Sequence, residues 1–193
     1  MLKRITTLFC LLISAYTSAQ LGGETTYQFL NLISSPRQAA LGGKVFTNYD
    51  YDVTQALTNP SAINVEMDNQ LALNYSSYLG GISYGTAAYG YTWDRRVLTF
   101  FAGISYINYG TFDGYDELGN STGTFSGNEA SLSFGHSRQI GYSDFYLGGT
   151  VKLITSKLEQ YSSFGAAIDA ALMYIDEDIE FQATLVVRNL GIQ

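Results

Sequence analysis

The sequence predicts an all-β protein, a transmembrane antiparallel β-barrel with a small N-terminal helical plug. Three observations carry that prediction. From Asn69 to Arg188, segments of about ten residues alternate apolar with small or polar side chains, the length and period of a tilted strand crossing an outer membrane. Charged residues make up 14% of the 193-residue chain against 46% hydrophobic, well below the roughly 25% charge usual in soluble domains. The first nineteen residues read as an export signal.

The signal peptide spans residues 1–19. Lys3 and Arg4 supply its charged start, Ile5 to Ala15 its apolar stretch, and Thr17-Ser18-Ala19 a small-residue cleavage site. Cys10 lies inside the apolar stretch rather than at the cleavage point, so it is not a lipid-attachment cysteine. Its removal leaves a mature chain without an internal disulfide. The net charge is −7 and becomes more negative once Lys3 and Arg4 are gone. An acidic chain argues against nucleic acid as a partner.

Residues 20–67 lack a two-residue period and read as a plug. Ser35-Pro36 starts a short helix, with Ser as cap and Pro at the first helical position, and Gly42-Gly43 ends it. A second helical piece, Asp52 to Thr58, stops before Asn59-Pro60, because the residue before proline is pushed out of helical geometry.

Residues 68–193 read as wall. Seven strands are expected, at Asn69–Tyr78, Ile82–Trp93, Val97–Asn108, Glu129–Ser137, Phe145–Thr155, Phe164–Tyr174 and Ile179–Val187. The fourth is the clearest, with Ala130, Leu132 and Phe134 set against Ser131, Ser133 and Gly135. An arginine replacing Leu132 is therefore expected to impair assembly more than one replacing Ser133. Connections after strands two, four and six are short and polar, while those after three and five are longer. Tyr109 to Asn128 reads as a long loop. Outer-membrane barrels show that asymmetry, with longer loops on the outer side. The short link Leu79-Gly80-Gly81 after strand one departs from it. Seven strands do not close an ordinary bacterial barrel, so the wall is expected to be the N-terminal part of a longer one. These residues alone should form an open sheet or a strained closure. Sixteen Tyr and twenty Gly suit membrane interfaces and tight turns.

Catalytic and metal chemistry find little support. His136 is the only histidine and shares the parity of Leu132 and Phe134, so it reads as an interfacial side chain rather than a base. Asp113, Asp116, Glu117 and Asn120 do not follow a calcium-loop spacing. Gly80-Gly81 and Gly148-Gly149 precede no helix that would hold phosphate. No enzyme activity and no cofactor are expected. Lys152 and Asp169 occupy the polar parity of their strands and read as lumen charges, either paired across the two strands or solvated separately.

Several stretches carry a family resemblance: Gly22-Gly23-Glu24-Thr25-Thr26-Tyr27, Ala40-Leu41-Gly42-Gly43, Leu57-Thr58-Asn59-Pro60-Ser61, Tyr106-Ile107-Asn108-Tyr109-Gly110 and Arg188-Asn189-Leu190-Gly191. Together they resemble the PorQ family, outer-membrane components of the type IX secretion system of Bacteroidetes. The step Asn59-Pro60 is shared more widely with barrels like the fatty-acid transporter FadL. The resemblance implies a FadL-like barrel of about fourteen strands with an N-terminal plug. It also implies outer-membrane lipid as surroundings and a place in the cell-surface attachment complex. There the family is thought to anchor PorZ beside the PorU sortase and the PorV shuttle. Tyr109, Phe112, Tyr115 and Asp116 then become the docking residues of an outer loop. A second function is a FadL-like transporter of hydrophobic small molecules, with Tyr27, Phe29, Leu30, Leu32 and Ile33 either lining a pocket or packing on the wall. A third is a soluble secreted β-sandwich.

Overall fold

The computed structural model describes residues 26–94 and 98–192. The signal-peptide reading lies outside the described residues, as does the tip of the turn at Arg95-Arg96. Seven antiparallel strands form one sheet in sequential order: β1 Leu71–Ser77, β2 Ser83–Asp94, β3 Leu98–Tyr115, β4 Ser121–Gln139, β5 Phe145–Leu158, β6 Tyr161–Asp176 and β7 Phe181–Ile192. The protein is all-β with short helical pieces, and no described helix is long and apolar enough to cross a membrane. β1 and β7 are the two edges and are not hydrogen-bonded to each other, so the sheet is open among the described residues.

Residues 109–128 are not a loop. β3 and β4 continue as a hairpin, Thr111 pairing with Ser126 and Phe112 with Phe125, and only 116–120 turn. The extension begins with a bulge between Asn108 and Thr111, where Gly110 takes φ +76°. That bulge slips the alternation, and the Gly, Thr and Asp beyond it are poor strand formers. Composition therefore hides a strand that cross-strand pairing sustains. The connection after β5 likewise shrinks to Glu159-Gln160, with Glu159 in the left-handed region. The long side of the sheet thus protrudes as ordered hairpins, not as slack loops.

The plug residues fold into capped single turns. α1, Pro36–Ala40, starts at Ser35, whose hydroxyl accepts from the Gln38 N–H. Val53–Leu57, Pro60–Ala62 and Val65–Met67 are 3-10 turns capped by Asp52, Asn59 and Asn64, each accepting from the backbone two residues on. Such turns are too short to hold themselves, and the sheet supplies the rest. Val53, Ala56, Leu57, Ile63 and Met67 pack against Ala88 and Phe101. Phe29 inserts among Tyr84, Ile107, Ile154 and Ala167. Where the plug backbone meets the wall the wall carries glycine: a Cβ at Gly90 would overlap the Met67 carbonyl, and one at Gly148 the backbone of Pro60-Ser61.

Candidate functional site

The sheet presents two chemically opposite surfaces. Leu73, Tyr89, Ile104, Phe134, Val151, Ile168 and Leu185, one from each strand, are all exposed on the face away from the plug. The face toward the plug carries Thr86, Ser105, Ser131, Ser133 and Thr150, and all five are buried. A continuous apolar surface seven strands wide marks contact with lipid or protein. Its ends are aromatic. On β6, Phe164 and Tyr174 bracket Ala166, Ile168, Ala170 and Leu172. Ten residues at about 3.4 Å, tilted about 40°, span roughly 25 Å, the height of an outer-membrane apolar band. At the short-turn end Phe100 meets His136 (5.2 Å), and Tyr174 sits between Phe145 (5.0 Å) and Phe181 (6.4 Å). His136 holds the Thr99 carbonyl oxygen at 2.8 Å through Nδ1, which donates there. That bond anchors the ring in the aromatic row.

On the inner face the structure brings Lys152 and Asp169 together. Nζ stands 2.6 Å from Oδ2, with side chains 4% and 2% exposed. They sit on adjacent strands, diagonally, since Thr150 faces Asp169 and Lys152 faces Ala167. A bulge completes the group. Opposite Asp169 the β6–β7 register slips between Ile168 and Ala170, and Asn189 takes φ 56°. The displaced Asn189 N–H donates to Asp169 Oδ1 at 2.8 Å, and Lys152 Nζ also donates to Asn189 Oδ1 at 2.8 Å. The extra residue turns Arg188 and Asn189 both toward the plug and returns Leu190 to the exposed face. Arg188 then donates to the Leu30 carbonyl at 3.1 Å, and Tyr27 Oη lies 3.1 Å from Ser163 Oγ. Charge on the wall is thereby tied to the first turn of the plug.

Asn59 and Pro60 nail the opposite end. Asn59 is fully buried; its Oδ1 accepts from the Ser61 N–H (2.9 Å) and hydroxyl (2.6 Å), and its Nδ2 donates to the Phe46 carbonyl (2.6 Å). Ala62 then packs on Met173 and Ile175, and Ser137 donates to the Ser61 carbonyl at 3.3 Å. Between the two ends Gln38 Nε2 donates to Gln55 Oε1 and Thr58 Oγ1, both at 3.0 Å, and Thr86 donates to the Ser34 carbonyl at 2.7 Å.

The four hairpin residues separate. Tyr109 is half-buried against the Phe29 cluster and donates to Glu129 at 2.5 Å. Asp116 shapes the hairpin turn, accepting from the N–H groups of Leu118 and Asn120 and from the Asn120 amide at 2.7–2.9 Å. Those bonds, led by Asn120, hold its carboxyl below the usual carboxylate range. Phe112 stacks on Phe125 at 5.3 Å, and Tyr115 is exposed. No group of three His, Cys, Asp or Glu able to hold a metal occurs among the described residues.

Sequence reasoning named Arg188 and Asn189 only within a family-like stretch and gave no structural role to them, to Gln38 or to Gln55. The bulge had one legible signal: the apolar spacing changes from two to three between Val187 and Leu190. The glutamine pair had none, because its members are buried by a tertiary fold that single turns do not announce. No protein-family model matches the chain, and neither a curated protein nor a solved structure matches it.

Proposed function

We propose that this chain forms wall and plug of an outer-membrane β-barrel that acts as a scaffold, holding a surface partner of the type IX attachment complex. The PorZ, PorU and PorV class of proteins implied by the PorQ-like stretches supplies that partner. The observation that carries the reading is the inversion of the sheet: large apolar side chains exposed on one face, hydroxyls and charges buried under the plug on the other. On this reading lipid covers that exposed face. The plug is built as a fixture. It is fastened at Arg188, at Thr86 and at Asn59-Pro60, and glycines in the wall receive its backbone. The β3–β4 hairpin runs past the aromatic ends of the apolar band and is the element that reaches outward.

Replacing Thr111–Ser126 by a tight turn, with Tyr109 and Glu129 kept, tests the scaffold. Loss of capture of a PorZ-class protein by barrels that still insert into membranes is expected. Unchanged capture removes the hairpin from the interface. Transport of a hydrophobic small molecule is the second reading, favoured by a cavity of about 330 Å³ between plug and wall lined by Tyr27, Leu30, Ile154, Ala167 and Arg188. Uptake that survives loss of the hairpin and stops when Ala167→Phe fills this cavity selects it.

A further inference from the structure

Beyond the apolar band, the hairpins carry a second apolar surface, on the other face. Leu158 faces Gly127, and a Cβ on Gly127 would touch both Leu158 and Tyr109. Tyr109 itself packs with the plug cluster. Tyr109, Phe112, Phe125, Leu158 and Tyr161 therefore share the plug-side face and line a groove of about 430 Å³. Phe112, Phe125, Leu158 and Tyr161 are all exposed. Among the described residues, neither cover used elsewhere reaches them. Lipid lies against the opposite face, and the first described turn of the plug meets the wall lower down, with Tyr27 at Ser163.

One charged side chain, Glu159, lines the groove among the described residues, and it is acidic. Asp116 and Glu117 stand at the exposed hairpin turn. Lys157, the nearby cation, pairs with Asn128 in the register of the lipid-side row. We propose that this groove receives an apolar or aromatic segment of a protein partner, flanked by basic residues. Apolar anchors seat between Phe125, Leu158 and Tyr161, and a lysine or arginine faces Glu159. Buried aromatic and aliphatic anchors hold such interfaces, while the charged rim selects and steers the partner. The inference rests on the scaffold reading and specifies which face of the hairpin docks and what it takes.

The test uses the full chain in lipid nanodiscs and three synthetic peptides: one with a Trp-Leu-Trp centre between lysine pairs, one with the same centre between glutamate pairs, and one with a Gly-Ser-Gly centre between lysine pairs. Fluorescence anisotropy should show saturable binding of the first, about tenfold tighter than either of the others. Phe125→Ser and Glu159→Lys should each weaken it about tenfold. Phe125→Ser also removes the Phe112 stack, so Tyr161→Ser, which leaves that stack intact, provides the independent variant. Equal binding of the acidic peptide, or binding untouched by Tyr161→Ser and Glu159→Lys, overturns the proposal. So does quenching of Tyr161→Trp by brominated acyl chains, which would make the groove a lipid contact. If losing the hairpin abolishes partner capture while Tyr161→Ser and Phe125→Ser do not, the scaffold survives and the groove proposal falls. If peptide binding follows the groove while capture ignores the hairpin, the scaffold reading falls instead.

Discussion

Ile168 and Asp169 are consecutive on β6 and meet different surroundings. Ile168 is 51% exposed and the Asp169 side chain 2%. A soluble sheet hides its isoleucines and wets its aspartates. Here the apolar side chain faces out, and the charged one lies under a plug with a lysine and the backbone N–H of Asn189 around it. The two faces are held by different physics. The outer face needs only a medium as apolar as itself. The inner face needs its charges paired, because the plug displaces water there, while the buried hydroxyls of Ser131 and Thr150 have no hydrogen-bond partner.

The sharpest way to break that contrast is to remove one member of the inner charge group. Lys152→Met leaves Asp169 buried with the Asn189 N–H as its hydrogen bond and Arg188 as a more distant counter-charge, and breaking a buried ion pair costs about 3–5 kcal/mol. Urea unfolding of the membrane-inserted protein, followed by heat-modifiable gel migration, should register that loss. Adding Asp169→Leu should restore part of it, since the uncompensated charge goes while the bulge loses its acceptor. A single variant as stable as wild type would show that water reaches the pair.

The next effect belongs to the outer face. Ile168→Arg should destabilise insertion by about 2–4 kcal/mol if lipid covers β6. An exposed substitution in water stays within about 0.5 kcal/mol. The same variant therefore separates the membrane wall from a soluble sandwich by partitioning between bilayer and aqueous fractions. Arginine at Ser133 is a poor control for it. Ser133 is buried against the plug, so Ser133→Arg is costly for a reason unrelated to lipid. Parity alone suggests that position is tolerant, and the plug makes it intolerant.

That error locates what was legible. Alternation along β4 or β6 states which side chains share a face, and the seven strands follow from it. Period two cannot say what covers the polar face, nor how far a strand continues once Gly110 or Asn189 shifts the count. The Lys152–Asp169 pair was visible as two charges of one parity on neighbouring strands. Arg188 was hidden because the bulge that turns it inward is a pairing event between β6 and β7, absent from either strand alone. The Asn59-Pro60 step was visible as a stop signal; its burial against Gly148 depends on residues almost ninety positions on.

A smaller change tests the fit between plug and wall. Gly148→Val places a branched side chain where the Pro60-Ser61 backbone lies. Overpacking of this kind costs about 1–3 kcal/mol. The plug should yield before the sheet, so limited proteolysis should cut within the Asn48–Ser61 segment while β-sheet circular dichroism persists. Gly149→Val, whose Cβ would come no closer than 3.8 Å to the Asp169 carbonyl oxygen, should leave the plug protected. Equal cleavage of both variants would mean that the plug is not seated on Gly148.

The least effect is expected where the plug meets water. Arg37 bridges Asp50 and Asp52, the latter at 3.4 Å, and lies 5.9 Å from the Tyr51 ring. Burial raises the Asp50 carboxyl, but hydrogen bonds from Arg37, the Asp52 N–H and Asn48 outweigh it and hold Asp50 below its ordinary value. A depressed carboxyl binds its proton less readily in the folded state than in the unfolded one. Its stabilisation is therefore complete above the unfolded value, about pH 4, and is lost as pH falls through the folded one. Acid should loosen the 48–52 segment below about pH 4, seen as faster proteolysis there by an acid-active protease, with the wall unchanged. Asp50→Asn should flatten that dependence without touching the urea midpoint of the sheet. Because Arg37 is largely exposed and its pairs are screened, salt should weaken the effect. A salt-insensitive acid transition would instead place its origin away from the Arg37 pairs.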